Sequence, residues 1–297
     1  MTGKRSDGWE ARRDRVRAPA VNGRTSSAND VDRPVWSRAV SDPLAVVAGL
    51  PGVPEAVQEA REAVDRLYRH RVLRRRGPEV TAESALRGAR ASAALEGVDV
   101  PLEPLRMGEV ADPVAQGALR ASAELGRLTP TWRSAPRQVL ARLHTLAAAG
   151  LTADPGRPRT VPTTADPLGL GPAPGPEETA ARMSALAGLV TGSSAVPALV
   201  LAAIVHAELV VLRPFGVADG LVARAAERLT LVGLGLDPKS LAAVEVGHAD
   251  LGDAYAEGLR SYQKGTGEGV GAWIRHCATA VVLGARETTA ICEAMSR

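Results

Sequence analysis

Residues 195–212 constrain this chain most: Leu199, Ile204, Val205, Leu209 and Leu212 recur at helical spacing, and only His206 and Glu208 interrupt an otherwise apolar run. A helix that is apolar on nearly every face has to lie at the centre of its domain. His206 and Glu208 also make the run a poor membrane span. Pro214 stops the pattern, because the residue before a proline is steered out of the right-handed helical region. Asp219 then stands where a cap is needed for a second helix over 220–232, with Leu221, Val222, Ala225, Leu229 and Val232 facing inward. Two central helices and the loop between them are therefore the expected heart of the molecule.

The rest of the chain reads as helices packed around that pair. Apolar residues make up 45% of the 297 positions but include a single Phe, so the core must be built from Leu, Val and Ala. That composition favours close helix packing, and alternating strand patterns are few, so the fold class is all-α. Residues 1–33 lack periodicity and read as a disordered tail. Residues 1–40 hold nine Lys/Arg against five acids, a basic arm in a chain of net charge +3. Structure should begin near Pro34, with an N-terminal helical region over 34–80. There a helix from Pro54 aligns Val57, Ala60, Val64, Leu67 and Val72 and ends at Gly77-Pro78. Arg66, Arg69, Arg71, Arg74, Arg75 and Arg76 gather toward its end. A helix C-terminus favours cations, which accounts for them as a solvated basic end; a nucleic-acid patch is the alternative.

Further helices are expected at 82–95 (capped by Thr81 and closed by Gly97), 113–126, 134–149 (capped by Ser134), 177–190, 250–263 and 271–295. Gly265-Thr266-Gly267-Glu268-Gly269 lacks the Gly-Lys-Ser/Thr ending of a phosphate loop and reads as a connector. Residues 152–176 are rich in Pro and Gly and longer than a passive loop in a compact domain. Arg159-Thr160-Val161 can form one arm of a short hairpin there, and a disordered linker is the competing reading. Cys277 and Cys292 lie on one expected helix, too far apart to pair. Reduced thiols, a polar N-terminus and the lack of a membrane span together read as cytoplasmic. His144, His206, His248 and His276 form no H-x-x-x-H arrangement, so no metal site is expected, and His206 reads as a hydrogen-bonded core residue.

The loop itself, R-P-F-G-V-A-D-G-L-V-A-R over 213–224, resembles a degraded form of the Fic (Fido superfamily) motif H-P-F-x-[D/E]-G-N-G-R-x-x-R. Upstream, Ser92-Ala93-Ala94-Leu95-Glu96-Gly97 fits the family's inhibitory helix motif [S/T]-x-x-x-E-[G/N], and Pro155 to Val161 resembles its flap. His206 seven residues before Arg213, and Trp273 in the last helix, complete the family's order of landmarks. The resemblance covers about 81–293. It implies a Fic-like helical bundle with a short β-hairpin flap, occupying 81–297: inhibitory helix 81–97, flap about 152–176, core motif 213–224.

Members of this family transfer AMP from ATP to protein hydroxyls, and the resemblance gives each motif position a role. Arg213 stands where the catalytic histidine is expected, and Pro214 and Phe215 match. Val217 replaces the magnesium carboxylate, Ala218 the first glycine and Asp219 the asparagine. Gly220 matches, Leu221 replaces the first arginine and Arg224 keeps the second. The resemblance implies that Glu96 and Arg224 form the inhibitory pair; a solvated Glu96 is the alternative. It implies too that Arg157, Arg159, Thr160 and Val161 belong to a flap that aligns a peptide.

A guanidinium cannot serve as general base, Val217 offers magnesium no oxygen, and Leu221 cannot clamp phosphate. Loss of a general base alone costs about 10² to 10⁴ in rate. Asp219, as a cap, should also compete for the helix donors that would hold an anion. The expectation is a catalytically inactive Fic-like protein, a pseudoenzyme acting as a binding or regulatory module, with no cofactor and with a protein partner at the flap. One alternative is a divergent nucleotidyl- or phospho-group transferase or hydrolase that uses ATP and Mg, with Glu96 or Asp219 as base. The other is nucleic-acid binding through the basic tail.

Overall fold

The central helix of the sequence is central in space. In the computed structural model, which describes residues 42–297, α8 (Ala198–Leu212) is buried at every position from Leu199 to Leu212 except Glu208. Twelve helices and no sheet are found among the described residues. Before α8 come α1 (Pro43–Ala48), α2 (Val53–Tyr68), α3 (Leu73–Leu95), α4 (Leu102–Arg106), α5 (Pro113–Trp132), α6 (Pro136–Ala147) and α7 (Pro176–Thr191). After it come α9 (Asp219–Gly233), α10 (Val244–Asp250), α11 (Asp253–Gln263) and α12 (Gly267–Ala294). No described helix is long and apolar enough to cross a membrane.

Polar tips of buried aromatic residues fasten the layers together. Trp273 on α12 donates its indole N–H to the Ala203 carbonyl of α8 at 2.8 Å, and Trp132 on α5 donates to Thr230 Oγ1 on α9 at 3.1 Å. Each ring fills the core while its one donor is satisfied. Glycine sets one crossing: a Cβ on Gly247 of α10 would overlap the Ala280 carbonyl of α12, so the two backbones touch directly. The neighbouring His248 is thereby carried deep into the core.

Several helix ends differ from their sequence expectation. The helix from Pro54 stops at Tyr68, not at Gly77-Pro78, and α3 starts at Leu73 and continues through Pro78 with a kink at Arg76. Pro78 lies near the N-terminal end of α3, where its missing N–H is tolerated, so it bends the chain without ending it. Thr81 is consequently no cap, and the boundary expected at 80/81 falls inside α3; the described residues belong to one compact unit. Gly97 does close α3, with φ of +88° and with Val98 N–H donating back to the Ala93 carbonyl. α5 runs six residues past its expected end, α6 begins at Pro136 without a side-chain cap from Ser134, and α12 absorbs Gly267-Glu268-Gly269 of the expected connector. The short α10 was not foreseen. The tail at 1–33 and the start near Pro34 lie outside the described residues.

The hairpin expected at 152–176 is not formed: that stretch holds no strand. Prolines 155, 158, 162, 167, 172 and 174 remove the donors that a hairpin ladder requires. Its backbone is tied instead to the central loop, by the Arg159 N–H donating to the Pro214 carbonyl at 2.8 Å.

Candidate functional site

The loop between α8 and α9 forms one wall of a cleft of about 450 Å³, with Glu96, Asp166, Leu168, Leu170, Arg213 and Asp219 among its lining. The cleft is bounded by the end of α3, the segment 165–170 and the first turn of α9. Two non-glycine residues take left-handed backbone conformations at the loop's ends, Arg213 (φ 45°) and Ala218 (φ 54°). Such conformations are uncommon outside glycine and cost energy that the surrounding contacts must offset.

Arg213 is fully engaged at its tip. Nη1 donates to the Ala165 carbonyl and Nη2 to the Gly171 carbonyl, each at 2.6 Å, and Asp166 lies 3.3 Å from Nη1. The side chain is buried, and it stitches 165–171 onto the end of α8. Arg159 does the same from the opposite side. Its Nε donates to the Arg213 carbonyl at 2.8 Å, and Nη2 reaches the carbonyls of Leu212 (3.1 Å) and Pro174 (2.5 Å) and Thr179 Oγ1 (2.9 Å). A cation on the last carbonyls of a helix complements their partial negative charge. Thr160 and Val161 follow it in a bend and face solvent, and Arg157 is also exposed.

Phe215 stacks on His144, ring centroids 4.0 Å apart and nearly parallel. His144 Nδ1 accepts from Gly156 N–H at 2.7 Å, which leaves Nε2 as the donor to the Val217 carbonyl at 3.1 Å. Burial pushes this imidazole's pKa down, in keeping with a neutral ring that bridges loop and flap. Val217 thus takes part through its backbone, and its side chain offers no metal ligand.

Asp219 is the first residue of α9 but not its cap; Ala218 holds that place without any side-chain bond. The Asp219 carboxylate turns back to accept from Phe215 N–H at 2.9 Å. It therefore does not compete for the helix donors as the sequence suggested. Burial raises its pKa to about 7, with Glu96 adding to the rise and the N–H groups of Phe215 and Gly216 opposing it.

Glu96 and Arg224 meet, Oε1 to Nη2, at 2.7 Å. Ser92 and Glu96 stand four residues apart on one face of α3, so both reach the same guanidinium. Ser92 Oγ accepts from Nε at 2.8 Å and its carbonyl accepts from Nη2 at 3.0 Å, while Nη1 donates to Tyr255 Oη at 3.2 Å. Arg224 is 1% exposed, with all its nitrogens bonded and no free face toward the cleft. A Cβ on Gly220 would overlap Glu96 Oε1, so the carboxylate occupies the space that the bare glycine leaves at the first turn of α9. Leu221 is 2% exposed and belongs to the core.

One group of residues escaped sequence reasoning. His206 of α8, Glu227 of α9 and His248 of α10 converge in the core, each 0% exposed. His206 Nδ1 lies 2.7 Å and His248 Nε2 lies 2.9 Å from Glu227 Oε2. The core histidine expected at 206 is indeed hydrogen-bonded, but its partners are 21 and 49 residues away in sequence, where no spacing rule could point.

An all-α bundle with two central helices, an R-P-F loop between them and a glutamate-bearing helix against the second is the Fic fold. Solved structures agree. The chain is similar to a Fic family protein from Desulfovibrio desulfuricans G20, at 20% identity over 80% of this chain and 74% of that one, with a TM-score of 0.66. It is similar to Fic-1 from C. elegans at 16% identity, 82% and 73% coverage and a TM-score of 0.65. A Fic domain containing signaling protein from Bacteroides thetaiotaomicron VPI-5482 gives 15% identity, 80% and 98% coverage and a TM-score of 0.56. At these identities the likeness is one of fold. No protein-family model and no curated protein matches the sequence.

Proposed function

We propose that this chain is a Fic fold whose motif loop has become a structural joint, and that it acts as a binding or regulatory module without AMP transfer. One observation carries the reading: the side chain standing where the base is expected is an arginine spent on the carbonyls of Ala165 and Gly171. The groups that ATP and magnesium would need do not fit them. Glu96 occupies the Gly220 face, Arg224 is saturated, and neither the Val217 nor the Leu221 side chain offers a polar atom. Glu96 and Arg224 act as a permanent lock in this reading. The cleft and the exposed Thr160-Val161 edge beside it are where a protein partner would dock.

The test is titration calorimetry with ATP and Mg²⁺, together with transfer of label from α-labelled ATP to protein. Neither binding nor label above background is expected. Micromolar nucleotide binding with covalent labelling would sink the proposal.

A second reading rests on Asp219, whose raised pKa places a proton acceptor near neutrality in the cleft. It makes the chain a divergent transferase or hydrolase acting on a nucleotide or another phosphate-containing group. Turnover of such a compound that disappears in Asp219→Asn, with the fold intact by circular dichroism, would favour it. Nucleic-acid binding through the tail concerns residues 1–33, outside the described structure. Binding that weakens steeply with salt and is lost on deleting those residues would establish it.

A further inference from the structure

Beneath the cleft, the three-residue cluster in the core has the composition of a metal site. His206, Glu227 and His248 come from three successive helices, and their donor atoms all lie within 4.8 Å of one another. Two imidazoles and one carboxylate form a mixed nitrogen and oxygen set suited to borderline first-row dications. Metal-bound imidazoles characteristically have their second nitrogen fixed by another group. Here His206 Nε2 lies 2.8 Å from Tyr255 Oη, and His248 Nδ1 lies 3.1 Å from His276 Nε2. Trp273 packs edge-on against His206 and parallel to His248, which fixes both rings.

Two features are poorly explained by a hydrogen-bonded core alone. Both imidazoles converge on a single oxygen of Glu227, and the other, Oε1, is buried without a hydrogen-bond partner. Arg224 is already bound to Glu96, Ser92 and Tyr255, so positive charge facing Glu227 has to come from a protonated imidazole of His206 or His248 or from a bound ion. A buried carboxylate in that situation calls for positive charge.

We propose that His206, Glu227 and His248 bind a structural zinc-class dication that ties α8, α9 and α10 together. Ligand atoms of four-coordinate zinc, bonded at about 2.0–2.1 Å, stand roughly 3.4 Å apart. The two hydrogen bonds, 2.7 and 2.9 Å long, would have to open by about 0.5–0.7 Å, and Oε1 has no hydrogen bond to break if the carboxylate turns.

The full chain, purified without a metal-binding tag, should carry about one zinc per molecule by elemental analysis. Removal with a strong chelator should lower Tm by several degrees, and Zn²⁺ should restore it. Co²⁺ added to the stripped protein should give the visible bands of four-coordinate cobalt. Glu227→Gln, which keeps the shape and can still hydrogen-bond, should fold without zinc. The proposal is overturned if the wild-type chain carries no metal and neither ion moves its Tm, or if Glu227→Gln retains the zinc. Should that variant fail to fold, X-ray absorption at the zinc edge of the wild-type protein decides. A first shell containing two imidazoles supports the site, and a shell of oxygens alone overturns it.

Discussion

Arg213 and Arg224 stand eleven residues apart at the two ends of one motif, and they are held in different ways. Arg224 lies in the core, where a carboxylate, a serine and a tyrosine satisfy it on three sides. Arg213 lies at the rim of the cleft and is satisfied chiefly by loop carbonyls. The carbonyls can turn to water if Arg213 is lost, whereas the partners of Arg224 have nowhere to turn. Both side chains are buried, so the partners left behind, more than the number of bonds, decide what each arginine contributes.

The largest effect should come from Arg224→Ala, which strands Glu96 and Tyr255 and is expected to cost about 3–5 kcal/mol in urea denaturation. A loss under about 1 kcal/mol would show that water reaches the pair, and the contrast would fail. Arg213→Ala should cost less, about 1–2 kcal/mol, because hydration replaces its bonds at the cleft. Measured by the same method, a cost equal to that of Arg224→Ala would erase the distinction.

Asp219 sharpens the comparison through pH. Its folded pKa, about 7, lies above the ordinary aspartate value, so the folded state binds the proton more tightly than the unfolded one. Stability from this group is full below about pH 4 and is lost as pH rises through 7. Asp219→Asn keeps an acceptor for Phe215 N–H and should flatten that slope, gaining on the order of 1–3 kcal/mol relative to wild type at pH 8. Thermal melts from pH 4 to pH 8 give the answer, and an unchanged slope would mean that the carboxylate is solvated. The smallest effect is expected from Arg213→His: with Val217 and Leu221 still in place, labelling by α-labelled ATP should stay at background.

The all-α class and the central helix pair were legible from an apolar helix and a proline-stopped loop, whereas the Fic-like arrangement was expected only through the resemblance of the motifs. The Glu96–Arg224 meeting was expected only through the resemblance of residues 92–97 to an inhibitory-helix motif; by itself Glu96 read equally as a solvated helix end. The hairpin expected at 152–176 is absent because its prolines remove the donors that pairing needs, a constraint that outweighs the strand-like run Arg159-Thr160-Val161. Asp219 was misread as a cap because its residue type fits that role, whereas the left-handed Ala218 turned its carboxylate toward Phe215. The grouping of His206, Glu227 and His248 was invisible. It depends on how α10 crosses α12, and sequence patterns report faces of helices, not crossings between them.

Gly220 gives the molecule a mutational trigger. Because a single methyl group there would overlap Glu96 Oε1, and the glutamate tip is flexible, Gly220→Ala would dislodge the carboxylate without altering any charged residue. The latch between α3 and α9 thus depends on an absence, and one codon change at an uncharged position would open it.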